Sequence, residues 1–331
     1  MKGRSLSTTV LAAIVIIVVV VVAVGGYYAY VSTRHHVVTS TTTTTSASTT
    51  PTATPTTTPT QVVSPSYITI GVVYDSSGEF ASSSMPEYEG LELWANWVNS
   101  HGGIYVKQYG KNLTVKIIAL NAASNPSTAA SDYEQLVDTD HVDILVADFG
   151  SVMTAPAVSF ANSSHVLLWD VTGSSFSFFV NNNYIILTSL PVSPYFVLYV
   201  PGFLHMLGIH NVAVIWDDND FNAYQSYFLA PGLKSYGIDV VYNTSVSTSE
   251  SQYTSLIAKV ESYHPQAVLE LGYPTNDQAF LSQVAASKAC FPLVLTNFPG
   301  QLLPTFVSSE PTAVNGTFTL AYPPLVEYTP Q

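Results

Sequence analysis

The sequence predicts an α/β protein with two doubly wound lobes, preceded by one transmembrane helix. Three observations lead to this prediction. An uncharged apolar stretch runs from Leu11 to Tyr30, a stretch of Thr, Ser, Pro, Ala and Val runs from about Val38 to Ser66, and apolar β-rich runs then alternate with amphipathic stretches. This alternation occurs in two series, and βαβ crossovers build parallel sheets that helices cover on both sides. Two successive lobes are therefore expected.

These patterns divide most of the chain into consecutive segments. The predicted segments are a basic N-terminal signal region at 1–8, a transmembrane anchor helix at 9–31, a disordered Ser/Thr/Pro stalk at 32–66, lobe one at 67–191 and lobe two at 192–310.

The N-terminal apolar stretch predicts a single-pass membrane anchor. About 20 apolar residues at 1.5 Å rise cross the hydrocarbon core as a helix. Lys2 and Arg4 precede the stretch, and a short basic flank keeps that end in the cytoplasm, so the folded domain is expected outside the cell. A cleaved secretory signal is the alternative, but the stretch is long for one and no small-x-small cleavage site follows it.

The stalk and the sequons suit an exported glycoprotein. A segment so poor in apolar residues buries too little surface to offset the entropy of folding, so it is expected to be disordered. Four Asn-x-Ser/Thr sequons are candidate N-glycan sites, and each is then expected at the surface: Asn112, Asn162, Asn243 and Asn315.

The charge composition is unusual. Charged residues make up 9% of the chain, against about 25% in typical soluble proteins, and the formal net charge is −13. The region after the stalk contains no arginine, and the acidic balance without a basic patch excludes nucleic acid as a partner. We interpret the weakly charged surface as an adaptation to acid, because carboxylates protonate near pH 4.

Individual elements follow from periodicity and capping. In lobe one, Ile68–Tyr74 reads as a strand, Ser84 and Glu87 as the capping box of the next helix, and Gly102–Gly103 as its end. Pro126 opens a second helix and Gly150–Ser151 a third. Lobe two repeats the pattern with predicted strands at 212–216, 238–242, 267–271 and 293–295.

The sequence carries no recognisable enzyme or metal motif. Dinucleotide, phosphate-loop and nucleophile-elbow motifs are missing, and no histidines have zinc-ligand spacing, so neither catalysis nor a cofactor or metal is expected. The acidic run Asp217–Asp220 could hold calcium, but side chains that cap the next helix explain it better. The single cysteine, Cys290, is expected to be a small buried residue.

Several short motifs lie at the ends of the predicted strands and helices between about residues 67 and 322: Ser77–Gly78, Glu87–Gly90, Asn99–Ile104, Gly150–Pro156, Asp217–Phe221 and Gly272–Tyr273. Together they resemble the type I solute-binding proteins of ABC importers, in particular the branched-chain amino acid and amide binders. The resemblance implies a type I periplasmic-binding fold. The start of the chain also resembles the class III, prepilin-like signal of archaeal binding proteins, which implies cleavage after Gly3.

The resemblance also implies a ligand site between the lobes. It places Ser151 where a hydroxyl holds a ligand carboxylate, Thr172 and Ser174 on the neighbouring loop, and Phe221 and Tyr273 on lobe-two positions that close over the ligand. Hydroxyls and backbone N–H groups at a helix N-terminus can bind an anionic or carbonyl group without a full positive charge. Alternatively, Ser151 only caps a helix and Tyr273 only fills the core.

The sequence departs from this family in three places. Asn297 stands where amino acid binders place an acid for the ligand's ammonium, and the run Ser82–Ser84 replaces a lobe-one aromatic residue. Asp170 or Glu270 could take the place of the missing acid. The resemblance also implies a return to lobe one over roughly another hundred residues. We therefore expect either a C-terminally shortened fold, with 311–331 as a partial return segment, or a different family.

Together these features predict an extracellular, membrane-anchored substrate-binding component of an ABC importer. Its expected partners are a small polar solute (an amino acid, an amide or a short peptide) and the permease and ATPase subunits. Two alternatives are a ligand-sensing ectodomain, which the same fold serves, and a pilin-like subunit of a surface filament.

Overall fold

A computed structural model describes residues 65–188, 191–287, 289–296 and 304–319, and these belong to one compact unit that begins at Val62. The predicted signal region with Gly3, the anchor helix and nearly all of the stalk lie outside the described residues. None of the helices in the described part combines the length and the apolar character that a membrane crossing requires.

The first sheet contains six strands in the order β2-β3-β1-β4-β5-β6. All neighbours pair in parallel except β2 and β3, which are antiparallel. The strands are β1 (Tyr67–Tyr74), β2 (Ile104–Val106), β3 (Lys111–Asn121), β4 (Ile144–Val146), β5 (Leu167–Asp170) and β6 (Ile185–Leu187).

The second sheet contains five parallel strands in the order β11-β10-β9-β7-β8. They are β7 (Asn211–Asp217), β8 (Asp239–Val246), β9 (Ala267–Leu271), β10 (Val294–Thr296) and β11 (Thr317–Thr319). Since β11 pairs with β10, the described part of the predicted return segment adds to the second sheet and does not go back to the first. Residues 320–331 lie outside the described residues.

Helices connect the strands of both sheets. Those of the first half are α1 (Ala81–Ser100), α2 (Pro126–Asp138) and α3 (Gly150–Ser164). Those that follow are α4 (Val200–Met206), α5 (Asp220–Ser235), α6 (Thr254–Glu261), α7 (Pro274–Ser287), α8 (Pro304–Ser309) and α9 (Pro311–Val314). Short 3₁₀ turns lie at Phe176–Phe179 and Ser193–Phe196.

Each sheet is buried on both faces, as the predicted doubly wound arrangement requires. In the first sheet, one face packs on α2 and α3 through residues such as Leu136 and Met153, and the other packs on α1 through Ala95 and Val98. In the second sheet, α4 and α5 cover one face and α6 and α7 the other, with their core residues in two separate clusters. Burial on both faces explains why the strands read as continuous apolar runs.

Local capping confirms two helix starts and corrects a third. Asn125 caps α2 ahead of Pro126, and Asn219 caps α5 by accepting from Asn222 N–H, as predicted for the acidic turn. The predicted capping box at Ser84 and Glu87 is wrong, because α1 begins at Ala81. Ser84 lies inside α1, where its hydroxyl accepts from Asp75 N–H and donates to Asp148, so a tertiary hydrogen bond takes the place of the local one.

Cys290 is exposed, so its predicted burial is also wrong. It lies between α7 and β10, where its backbone N–H donates to Glu261 at 3.2 Å. Ala289 and Phe291 on either side are partly buried against the core of the second sheet. The turn therefore buries the two neighbours and leaves the thiol on the solvent side.

Candidate functional site

The N-terminal turn of α3 is the centre of the candidate site. Gly150 N–H donates to the Thr172 hydroxyl at 3.0 Å, and Ser151 N–H donates to the Tyr273 hydroxyl at 3.0 Å. The first N–H groups of a helix have no partner inside the helix, and the helix dipole favours negative charge there. Two hydroxyls therefore accept the hydrogen bonds of the N–H groups in this turn. A carboxylate or carbonyl oxygen could accept the same hydrogen bonds.

Tyr273 brings the second half of the protein onto this turn. It follows β9 and is 1% exposed, and its ring packs at 5.3 Å from Phe80, 6.1 Å from Phe149 and 5.8 Å from Phe221, centroid to centroid. The ring lies so close to Gly150 that a Cβ there would be 2.9 Å from Tyr273 Cε1. Gly150 also has a φ of +73°, a conformation that favours glycine. The glycine thus allows the tyrosine to reach the helix end.

The loop after β5 forms a second connection between the two halves. Ser151 Oγ accepts from Ser175 N–H at 3.0 Å, which fixes the loop against α3. Ser175 Oγ in turn donates to Asp220 Oδ2 at 2.7 Å, and Ser177 Oγ donates to the same oxygen. Because Asp220 is the first residue of α5, these bonds attach the loop to the helix that follows the first strand of the second sheet.

Ser174 supplies a polar group that the described residues leave unused. The residue is fully buried, and its Oγ has no hydrogen-bond partner among the described residues. Its carbonyl accepts from Ser193 N–H at 2.7 Å, so the backbone is held in place while the hydroxyl remains available. A buried hydroxyl without a partner costs free energy that a bound polar group recovers.

Buried acids stand at the carboxyl ends of the strands on both sides of the site. Asp75 and Asp148 follow β1 and β4, Asp170 is the last residue of β5, and all three are almost fully buried. Burial raises the pKa of Asp148 to about 8, with a further contribution from the charge of Asp75. Burial also raises the pKa of Asp170 to about 7, although the Gly173 N–H lowers it in part.

The second sheet repeats this arrangement below Tyr273. Asp217 Oδ2 accepts from Tyr273 N–H at 3.2 Å, and burial together with the Glu270 charge raises the pKa of Asp217 to about 9. Burial, and then the charge of Asp277, raises the pKa of Glu270 well above its usual value. Asp217 and Glu270 are therefore neutral at acid pH. Under that condition, the Asp217 carboxyl that accepts from Tyr273 N–H is uncharged.

The structure brings together most of the residues predicted for the site. Ser151, Thr172 and Tyr273 are linked by hydrogen bonds at the α3 turn, and Phe221 packs against Tyr273. Ser174 lies one residue before the Ser175 amide that bonds Ser151. Asn297 lies outside the described residues.

Three further residues of the site escaped sequence reasoning. Phe80 places an aromatic ring against Tyr273, two residues before the serine run that was expected to replace such a ring, and Phe149 adds a second. Asp220 was assigned to a capping turn, whereas it also binds the loop of the first half. A signal for Phe80 was present, since it is a large apolar residue two positions after Gly78 of the Ser77–Gly78 turn.

Comparison with known proteins places this fold in a family. A profile of the family described as "Periplasmic binding protein" matches residues 67–325, well over half of the chain. The chain belongs to the periplasmic binding protein family.

Solved structures agree on the fold of this periplasmic binding protein. The leucine-binding protein LivK of Thermotoga maritima superposes with a TM-score of 0.68 at 16% identity, covering 79% of this chain and 73% of that one. LivJ of Streptococcus pneumoniae, solved with isoleucine, gives 0.62 at 18% identity, covering 70% and 64%. A solute-binding protein of R. palustris, solved with benzoate, gives 0.64 at 15%, covering 74% and 66%. The chain thus spans about two thirds to three quarters of these neighbours' lengths.

The surface of the periplasmic binding protein agrees with the expectation for the four sequons. All four sequon asparagines are exposed, as attachment of a glycan requires. Within the described residues, no group of three or more His, Cys, Asp or Glu side chains is arranged to hold a metal ion.

Proposed function

We propose that this protein is the membrane-anchored, extracellular substrate-binding component of an ABC importer, and that it captures a small polar solute between its two α/β halves. One observation carries the proposal. The amides and hydroxyls at the N-terminus of α3, in the first half, are covered directly by Tyr273 from the second half. A solute held at this turn would contact both halves at once.

A carboxylate or amide carbonyl fits the α3 turn. It would accept from Ser151 N–H in place of the Tyr273 hydroxyl and would receive a further hydrogen bond from the unused Ser174 hydroxyl. The isoleucine and benzoate of the two neighbouring structures each combine a carboxylate with an apolar body. Phe80, Phe149 and Phe221 offer apolar surface for such a body. Amino acids, amides, short peptides and aromatic carboxylates are therefore the solutes to test.

Movement of Tyr273 would couple binding to closure. When a solute oxygen replaces its hydroxyl, the ring becomes part of the wall over the solute, and the loop at Ser175 and Ser177 stays bonded to Asp220. A ligand shifts a conformational equilibrium only by its difference in affinity for the two states. Contacts from both halves exist only in the closed state, so the solute would favour closure and present a distinct surface to a permease.

The export and import parts of the proposal rest on the sequence. The apolar stretch at 9–31 would anchor the chain in the cell membrane after cleavage at Gly3, and the stalk at 32–66 would hold the folded unit away from the surface. The permease and ATPase subunits would then complete the transporter. The low charge suggests a host that lives in acid.

A binding screen with matched variants tests the proposal. The purified full chain is screened by thermal shift against amino acids, amides, short peptides and aromatic carboxylates, and the strongest ligand is measured by calorimetry. Ser151→Ala and Ser174→Ala should each weaken binding about tenfold, since the first removes the hydroxyl that fixes the loop against the turn and the second removes the hydroxyl that would donate to the solute. Ser163→Ala is the control, because it changes an exposed serine at the far end of the same helix.

Two results would contradict the proposal. The first is a ligand whose affinity is the same in the parent and in both site variants. The second is a screen without any stabilising ligand although circular dichroism shows folded protein.

A further inference from the structure

A separate cavity lies within the first half, between α1 and the sheet. Its volume is about 360 Å³, within the range of small-molecule sites. The floor is formed by residues of β1, β4 and β5, and the roof by α1, with Pro86 and Gly90 exposed at the rim. None of the residues that bind at the α3 turn lines this cavity. The cavity therefore lies beside the site proposed for the transported solute, and Glu87 on its wall is close enough to interact with the Thr172 hydroxyl of that site.

The walls of the cavity are aromatic and apolar. Trp94 and Trp169 meet edge to face with ring centroids 5.7 Å apart, and Tyr74 and Tyr88 stack at 4.3 Å. Val72 and Leu91 add aliphatic surface to the lining. Such walls suit an apolar or aromatic body, and the faces of tryptophan and tyrosine rings attract cations.

Two acidic side chains interrupt this apolar lining. Asp148 is 3% exposed and its Oδ2 is buried with no hydrogen-bond partner among the described residues. Glu87 is half-buried, yet its Oε2 is also buried and also lacks a partner there. Asp148 Oδ1, by contrast, is fixed by Ser84 Oγ and by Phe149 N–H at 2.7 Å. The Asp75 carboxyl and the Thr172 hydroxyl are close enough to influence Asp148 and Glu87. Neither forms a hydrogen bond of good geometry with Asp148 Oδ2 or Glu87 Oε2, so these two acceptor oxygens remain for an occupant of the cavity.

The charged groups that act on these two acids are themselves acidic. No lysine is among the residues that line the cavity, and Asp75 and Asp170 are the nearest further acids to raise the pKa values of Asp148 and Glu87. Both pKa values reach about 8, mainly because the carboxyls are buried. An anion would be repelled by this cluster as soon as any member ionises, whereas a cation would neutralise it.

We propose that the cavity under α1 is a binding site for a small primary amine with an aromatic or branched apolar body, whose ammonium group is bound by Asp148 and Glu87. An ammonium group carries three donors and no acceptor, which matches two buried oxygens that need donors. The apolar body lies against the rings of Trp94 and Trp169, which line the cavity together. A neutral alcohol of the same shape offers one donor and no charge, so it should bind less well.

The test uses 2-phenylethylamine as the probe and 2-phenylethanol as its neutral counterpart, with the purified full chain. Binding is followed by calorimetry and by tryptophan fluorescence, since two of the four tryptophans line the cavity. The alcohol should bind about tenfold to a hundredfold more weakly, as expected when a charged hydrogen bond is lost. Below the pKa values of the two acids, the carboxyls are protonated, so binding of the ammonium group should release a proton from them. The buffer takes up this proton, and the measured heat should therefore depend on the ionisation enthalpy of the buffer.

Variants separate this site from a general effect of charge. Glu87→Gln and Asp148→Asn should each reduce amine binding about tenfold or more and reduce the proton release. Glu89→Gln is the matched control, because Glu89 is exposed on the same helix and does not line the cavity. If Asp148→Asn fails to fold, Glu87→Gln alone decides the question.

The outcomes are distinguishable from those of the solute-binding test. Equal binding of the amine and the alcohol, no binding of the amine, or amine binding that Glu87→Gln leaves unchanged would each overturn the amine site. None of these results bears on binding at Ser151, and a failed screen at Ser151 does not bear on the cavity.

Discussion

Replacement of Asp170 by asparagine should make the protein more stable at neutral and alkaline pH and leave its stability in acid unchanged. Asp170 is fully buried at the end of β5, and its Oδ1 accepts from Gly173 N–H at 2.7 Å. Asparagine keeps an acceptor for that bond and carries no charge. The variant therefore resembles the protonated form of the aspartate at every pH.

The magnitude follows from the pKa of the buried carboxyl. In the folded chain it is about 7, against 3.8 for an unperturbed aspartate. Because the folded-state pKa is raised, the group's contribution is fully present below about pH 4 and is lost as the pH rises through about 7. Three pKa units correspond to about 4 kcal/mol at most, so a gain of about 2–4 kcal/mol for Asp170→Asn is expected above that pKa.

Urea unfolding followed by circular dichroism, across the range from acid to mildly alkaline pH, measures this difference. The control is Asp138→Asn, which removes one formal charge at an exposed position at the end of α2. The reasoning is refuted if the free energies of unfolding of Asp170→Asn and the parent differ by the same amount at low and high pH. A variant less stable than the parent at high pH would refute it equally.

Three further predictions concern the site and the surface. Gly150→Ala should lower stability by about 1–2 kcal/mol, because a Cβ at a φ of +73° would lie 2.9 Å from the Tyr273 ring. The change in the urea midpoint measures this loss, and an unchanged midpoint would show that the ring moves aside without cost. Tyr273→Phe should cost about 1 kcal/mol in chemical unfolding, through loss of the acceptor for Ser151 N–H, and no change would mean that water replaces the hydroxyl. Cys290 should react with one equivalent of a thiol reagent per chain in the folded protein, and Cys290→Ser should abolish this reaction. A reaction only after unfolding would place the thiol in the interior.

The arrangement of strands and helices could be predicted because both sheets are buried on both sides. Continuous apolar runs such as that of β9 separate clearly from the amphipathic stretches between them, so most elements were identified with boundaries shifted by a few residues. The short elements β2, α4, α8 and α9 were not predicted, because three to seven residues carry too little periodicity. The start of α2 at Pro126 and the capping of α5 by the turn at Asp217–Asp220 depend only on neighbouring residues, so sequence reasoning reached both correctly. Ser84 has a long-range partner, Asp148, which no local pattern indicates, and there the prediction was wrong.

The candidate site was predictable only in part, for the same physical reason. Ser151, Thr172 and Tyr273 occupy the ends of recognisable strands and helices, so motif resemblance located them. Their contacts with Phe80 and Asp220 depend on how the two halves meet, which periodicity along one chain does not encode. The buried acids are another example, since an aspartate after a strand reads as a capping residue until tertiary packing removes it from water.

Hydrogen exchange measured with and without the best ligand of the screen tests solute capture by both halves most directly. The account predicts slower exchange in three segments together: the start of α3 around Ser151, the loop around Ser175, and the turn around Tyr273 in the second half. Protection confined to one half, or protection that leaves the α3 turn unchanged at saturating ligand, would contradict it.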